Sequence, residues 1–184
     1  MSSMFYACTV LGEGTNINLS YNDGSGWDVS MCTNNQNMFN NCYNLGNEGD
    51  FIIDNWNLSN SSTLQAMFQS TFSSVTSGVE LTNWTIGTTD TTVTLHNMFI
   101  NSTYFDGDVG NWTIHNPSSL SGMFSTCVNF KGTGLSSWTI QLDSSGYDSS
   151  EIETFSMGQM FQNCTQLGYD TNIDISSNGN GSGW

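Results

Sequence analysis

Cysteine is the residue type with the most chemistry to offer in this chain. Cys8, Cys42, Cys127 and Cys164 each stand four positions after a methionine, and Thr71 and Ser102 hold the matching place after Met67 and Met98. Exchange of Cys with Ser and Thr suggests a small buried slot, where a free thiol packs as a small hydrophobe. In an oxidising setting Cys8–Cys42 and Cys127–Cys164 could bridge instead. Neighbouring strands lie about 4.8 Å apart, a separation that a disulfide tolerates. Cys32 falls outside the pattern. No Cys-x-x-Cys is present and His96 and His115 are the only histidines, so no metal and no cofactor is expected.

The other reactive types are less organised. His96 precedes Met98-Phe99 and His115 follows Trp112-x-Ile114, and no Gly-x-Ser-x-Gly elbow accompanies them, so surface histidines are expected. Asp106-Gly-Asp108 and Glu151-Ile-Glu153 are carboxylate pairs of the kind that hydrolyse glycans, but they sit among many other acids and read as a solvated face. Asn22-Asp-Gly-Ser-Gly-Trp-Asp28 lacks the alternating acids and closing Glu of a calcium loop. Asn57, Asn60, Asn83, Asn101 and Asn111 begin glycosylation sequons. No catalytic residue is expected.

These residues are spaced by a repeat. Met-Phe pairs recur at Met4-Phe5, Met38-Phe39, Met67-Phe68, Met98-Phe99, Met123-Phe124 and Met160-Phe161. A Trp-x-aliphatic step separates them at Trp27, Trp56, Trp84, Trp112 and Trp138, with intervals of 29, 28, 28 and 26 residues. A fixed period in this range is the signature of a solenoid. Leu64, Met67 and Phe68 are spaced like one face of a helical turn, as are Leu95, Met98 and Phe99, so a short helical turn is expected at each pair. The Trp step alternates with period two and predicts one short strand per coil. The repeat core is then Phe5, Trp27, Phe39, Trp56, Phe68, Trp84, Phe99, Trp112, Phe124, Trp138 and Phe161. With Trp inward, Asn55, Asn83, Asn111 and Ser137 form one outward rank and Asn57, Thr85, Thr113 and Thr139 another, a side-chain ladder or a flat face for sugar or ice. The coil containing Phe72 and Val75 departs from the pattern, and variable insertions, the longest at residues 141–154, read as loops.

Composition narrows the partners. Sixteen acids face one basic residue, Lys131, for a net charge of −15, which leaves nothing to neutralise nucleic-acid phosphates or anionic headgroups. Aromatics at 12% can bury a core despite only 9% charged residues. No apolar run approaches a membrane span and no leader is visible, so membrane insertion is not expected.

The chain's two ends resemble each other. Met4-Phe-Tyr-Ala-Cys-Thr-Val-Leu-Gly and Thr15-Asn-Ile-Asn-Leu-Ser20 are echoed by Met160-Phe-Gln-Asn-Cys-Thr-Gln-Leu-Gly and Thr171-Asn-Ile-Asp-Ile-Ser176, offset by 156 residues, and Gly24-Ser-Gly-Trp27 by Gly181-Ser-Gly-Trp184. This predicts a window on a longer tandem array, or a subunit that stacks head to tail on itself.

The combined pattern, Met-Phe-x-x-Cys-x-x-Phe followed by a Trp-Thr-Ile step, resembles the BspA-like leucine-rich repeats of bacterial surface proteins over nearly the whole chain. That resemblance implies a leucine-rich-repeat-type solenoid exposed at a cell or particle surface, with adhesion or assembly roles. The expectation is one solenoid domain over residues 1–184, right-handed, of about six coils, each with one short parallel strand and a short helical turn. It is expected to be a non-enzymatic structural protein of an extracellular filament or surface array, with itself as partner. The alternative is an adhesin or glycan-binding module, including a phage or virion receptor-binding protein, that uses the Asn/Thr face.

Overall fold

A coiled chain must give each buried amide a partner, and that requirement shapes the segments around the Met-Phe pairs. In the computed structural model, which describes residues 1–22, 26–73, 78–142, 156–171 and 173, these segments are not helical. Asn40 N–H and Cys42 N–H close local turns onto the Asn37 and Phe39 carbonyls at 3.2 and 3.1 Å. The alternate amides leave the coil: those of Asn37, Phe39 and Asn41 donate to Gln65, Met67 and Gln69 at 3.1, 2.9 and 2.9 Å. An α-helical turn would keep every one of these bonds inside itself.

This alternation depends on left-handed residues placed before and after the pair. Asn37 and Asn41 have φ of 56° and 62°, Asn97 and Asn101 57° and 63°, and Gln159 and Asn163 59° and 60°. Asn tolerates this region better than other non-glycine residues because its short amide bonds locally. The result is a flattened arc that points Leu64, Met67 and Phe68 inward, as a helix would, without helical bonding. The expected helical turns are therefore corrected. Among the described residues the sole helical element is a 3-10 turn, Leu135–Ser137.

The architecture is a parallel β-solenoid. Its strands are β1 (Ile17–Asn18), β2 (Phe51–Ile52), β3 (Asn57–Leu58), β4 (Val79–Glu80), β5 (Thr85–Ile86), β6 (Val93–Thr94), β7 (Thr113–His115), β8 (Pro117–Ser119) and β9 (Thr139–Gln141). They form three parallel sheets, β1-β2-β4, β3-β5-β7-β9 and β6-β8, where a single sheet was expected. No described sheet runs through six strands, so the expectation of one strand in each of six coils is not met as stated.

The core consists of aromatic columns running along the stack. Phe5, Phe39, Phe68, Phe99, Phe124 and Phe161 stack successively at 5.2, 5.3, 5.1, 5.1 and 5.7 Å between ring centroids, with ring planes within 11°. Trp56, Trp84, Trp112 and Trp138 stack at 5.7, 4.9 and 5.0 Å. These spacings match the step between neighbouring strands, so each ring touches its equivalent one coil away. A third column, Phe72, Phe105 and Phe130, is spaced 5.3 and 5.4 Å. Phe72 joins it from two positions nearer its methionine than Phe105 does, through a left-handed backbone at φ 51°. That repairs the irregular coil; Val75 lies outside the described residues.

The interior rings are fully buried, Trp138 at 2% included, whereas Phe5, Trp27 and Phe161 at the two ends are only half-buried. Each interior indole N–H finds a carbonyl one coil back: Trp56 to Leu19 at 2.8 Å, Trp84 to Ile53 at 2.7 Å, Trp112 to Leu81, and Trp138 to Val109 at 2.6 Å. Coil-to-coil approach is close enough to require glycine. A Cβ on Gly134, itself at φ 88°, would stand 2.3 Å from the Gly110 nitrogen. The sequence likeness at the far end falls largely outside the described residues, since position 172 and residues 174–184 are not among them.

Candidate functional site

The cysteine slot is a column of hydrogen-bond donors. Cys42 Sγ donates to the Phe5 carbonyl at 3.0 Å, Thr71 Oγ1 to Phe39 at 2.6 Å, Ser102 Oγ to Phe68 at 2.6 Å, Cys127 Sγ to Phe99 at 3.0 Å and Cys164 Sγ to Phe124 at 2.9 Å. Every one joins its coil to the phenylalanine carbonyl of the coil before. Size alone does not define the slot, because Ala would fit it and cannot donate. Cys, Ser and Thr are the short side chains that can.

All five thiols are free, so neither Cys8–Cys42 nor Cys127–Cys164 is bridged here. Burial pushes the Cys42 thiol up to about 12 and that of Cys164 up to about 11, and it holds Cys127 well above its ordinary value. A buried, protonated thiol is a poor nucleophile, which suits a structural donor. Cys8 is exposed, and Cys32 is half-buried, its carbonyl receiving Ser61 Oγ at 2.8 Å.

The outward ranks differ from each other. Asn55, Asn83 and Asn111 are exposed, but they are turn residues at φ 60°, 59° and 58°, placed before the strands rather than within them. They are left-handed residues immediately before Trp56, Trp84 and Trp112, whereas Ser137 before Trp138 is not. Asn111 Nδ2 still bonds Asn83 Oδ1 at 3.1 Å, and Asn55 Nδ2 bonds Asn22 Oδ1 at 2.8 Å. Ser137 belongs to the 3-10 turn, and its Oγ accepts the Asn111 N–H at 2.7 Å.

Asn57, Thr85, Thr113 and Thr139 do form one rank, being successive register partners in β3, β5, β7 and β9. Asn57 and Thr85 are exposed, Thr113 and Thr139 half-buried. The sequon residues Asn57, Asn60, Asn83, Asn101 and Asn111 are all exposed, although Asn60 Nδ2 is held by the Ser30 carbonyl at 2.7 Å.

The acids read as catalytic alternatives are occupied structurally. Lys131 Nζ meets Asp106 Oδ2 at 2.6 Å, and the Lys131 N–H bonds Asp106 Oδ1 at 3.1 Å. The hydrogen bond and charge of Asp106 raise the Lys131 pKa. Asp108 Oδ1 accepts Gly110 N–H at 2.8 Å. His96 is one arc position before Asn97, and His115 lies in β7 opposite Gln141, far apart in the repeat. Glu151 and Glu153 lie outside the described residues, as do residues 23–25 of the Asn22–Asp28 loop. Among the described residues no three His, Cys, Asp or Glu side chains gather as metal ligands, and no helix is long and apolar enough to cross a membrane.

Sequence reasoning missed the left-handed positions flanking each Met-Phe pair, which are mostly Asn, Ser and Gly but also Ala7, Ala66, Thr126 and Gln159. The recurrence of Asn at Asn37, Asn41, Asn97, Asn101 and Asn163 was the available signal.

The model of one protein family matches this chain, at residues 1–138 and again at residues 80–179; its description is Mycoplasma protein of unknown function, DUF285. No curated protein and no solved structure matches. The resemblance to BspA-like leucine-rich repeats is thereby overturned. In this chain the shared Met-Phe, Cys and Trp landmarks serve as stacked rings and short hydrogen-bond donors between coils.

Proposed function

The chain belongs to that Mycoplasma family of unknown function, and we propose that it is a non-enzymatic structural repeat protein that builds an extracellular filament or surface array by stacking its coils. In this reading the solenoid has six coils, one for each Met-Phe arc. The observation that carries this reading is the use made of the polar side chains inside the stack. The slot donors and the indole N–H groups all serve to bond one coil to the next. Asp106 and Asp108 are held in backbone and ion-pair contacts. Such a molecule is a rod whose chemistry is spent on its own axis, and its sequence carries a net charge of −15. Its home is a cell or particle surface, and its partners are further copies or continuing repeats.

Electron microscopy of the native material tests this. Fibres with an axial repeat of about 24–29 Å, five or six coils at about 4.8 Å each, are expected. Discrete particles at all concentrations refute it. A second reading rests on the register-matched rank of Asn57, Thr85, Thr113 and Thr139, which offers a flat array of hydroxyl and amide groups to a glycan. Saturable glycan binding that is lost in Thr85→Trp and Thr113→Trp would favour this adhesin function.

A further inference from the structure

One apolar column of the core is interrupted by a polar residue. Three positions before the methionines of four successive Met-Phe pairs stand Asn35, Leu64, Leu95 and Leu120, and all four are fully buried. A leucine fits this place in three consecutive coils, so the shape of the space does not call for an amide. The amide is also costly there, because its Oδ1 is buried without a hydrogen-bond partner.

The nitrogen of that amide is held by the next coil. Asn35 Nδ2 donates to Ser61 Oγ at 2.6 Å, and Ser61 Oγ donates in turn to the Cys32 carbonyl at 2.8 Å. The Ser61 proton is thus committed to Cys32, which leaves its oxygen to accept and fixes which way the Asn35 amide faces. Ser61 is itself fully buried. It stands six positions before its methionine, where the following two coils carry Thr92, which is exposed, and Pro117, which has no hydroxyl. Of these three coils, only that of Ser61 has a buried hydroxyl to take the Asn35 amide.

That selectivity matters because the ring columns have none. Phe39 stacks on Phe68 at 5.3 Å, and Phe68 on Phe99 and Phe99 on Phe124 each at 5.1 Å, the same ring in the same place every time. While the chain is still folding, the coil of Met38 can pack its ring on the coil of Met98 as readily as on that of Met67. Skipping a coil only lengthens the loop that must close, and loop entropy grows slowly with length. Misassembly of this kind is a characteristic failure of repeat proteins.

We infer that Asn35 is a pairing mark, which favours docking of the coil of Met38 on the coil of Met67 over docking on the later coils and lowers equilibrium stability in doing so. Docked on a later coil, the amide is buried with neither end bonded, which is the most unfavourable case. A single buried polar residue sets register in coiled coils by the same physics. The inference concerns coils inside one chain and stands whether or not copies stack on each other.

Refolding of the full chain from urea, followed by tryptophan fluorescence, tests it with Asn35→Leu, which gives the column the residue it has at Leu64. The unfolding temperature should rise by about 2–4 °C. The fraction of chains refolding through a slow, trapped phase should nevertheless grow about fivefold or more, the population change that one unmade buried hydrogen bond brings. Pro117, the one proline, is common to both chains and adds the same slow phase to each. Ser61→Ala removes the partner, so Asn35→Leu should raise the unfolding temperature more in that background than in the parent. An Asn35→Leu chain that refolds with the parent's phases, or that is less stable than the parent, overturns the inference. So does an equal gain from Asn35→Leu with and without Ser61.

Discussion

Ser102 separates two accounts of the cysteine slot. It is fully buried, and its hydroxyl donates to the Phe68 carbonyl at 2.6 Å. If the slot is merely a small space, Ser102→Ala removes a buried hydroxyl and should be neutral or stabilising. If the slot is a donor position, the same change breaks a coil-to-coil bond. The Phe68 carbonyl keeps the Thr71 N–H at 3.2 Å, so it is not orphaned. The loss is therefore about 1 kcal/mol for the net bond, and no more than about 2 kcal/mol with the weaker Thr71 N–H contact to Ser102 Oγ included. A domain of this size loses about 2–4 °C of unfolding temperature per kcal/mol.

Ser102→Cys supplies the matched control, since Cys42 and Cys127 perform this role at equivalent positions. It should stay within about 0.5 kcal/mol of the parent, the ordinary range for a substitution without a named defect. Ser102→Val lacks the donor and adds bulk, so overpacking of about 1–3 kcal/mol joins the lost bond. Thermal and urea unfolding of the three variants give the order parent and Cys, then Ala, then Val. An Ala variant as stable as the parent, or more so, would refute the donor slot.

Other consequences can be measured on the same molecule. Trp112→Ala removes a fully buried ring stacked at 4.9 and 5.0 Å on both sides and should cost about 3–5 kcal/mol in urea unfolding. Trp112→Phe keeps a ring but strands the Leu81 carbonyl and should fall between it and the parent. Burial raises the thiols of Cys42 and Cys127, so the folded state holds those protons where the unfolded state releases them. Their stabilisation is complete below the ordinary 9.0 and drains as pH climbs toward about 12 for Cys42. Unfolding temperature should drop from pH 9 to 11, less steeply in Cys42→Ser; a flat profile would contradict the buried thiols. Iodoacetamide at pH 8 should label exposed Cys8 and spare Cys127 until the chain unfolds, as peptide mass mapping would show.

The columns were legible in the sequence because identical rings at a fixed interval can stack only if the chain returns to the same place each turn. The interval of 28 residues from Trp56 to Trp84 to Trp112 is realised as ring contacts. The arcs were misread because apolar spacing reports which residues face inward and carries nothing about where the amides go. Leu64, Met67 and Phe68 face the core in a helix and in this arc alike. The distinction lies in residues the apolar pattern ignores, such as Asn97 and Asn101 on either side of Met98-Phe99. The slot was read as a small buried space; Cys42 and Cys127 are buried in it, Cys8 is exposed and Cys164 half-buried. Cys alternating with Thr and Ser signals a shared donor as much as a shared size, and the acceptor, a carbonyl from the preceding coil, has no sequence mark at all.

Neighbouring coils exchange bonds in both directions: Phe51 N–H donates forward to the Gly78 carbonyl, and Thr85 N–H donates back to the Trp56 carbonyl. A further coil of the same kind would therefore meet a complementary face, and the repeat itself sets no stop to growth. A sheet edge of this kind invites uncontrolled pairing, and proteins blunt such edges with charge, proline or a covering segment. Here the chain carries 16 acids against one lysine, and Asp106 holds that lysine in an ion pair. Repulsion between copies would oppose the stacking proposed above, and ionic strength would set the balance. Replacing exposed acids such as Glu13 and Asp28 near the first arc with Gln and Asn should shift assembly to lower salt without moving the unfolding temperature. Light scattering against NaCl concentration reads the shift, and an unmoved salt midpoint would show that charge does not govern assembly.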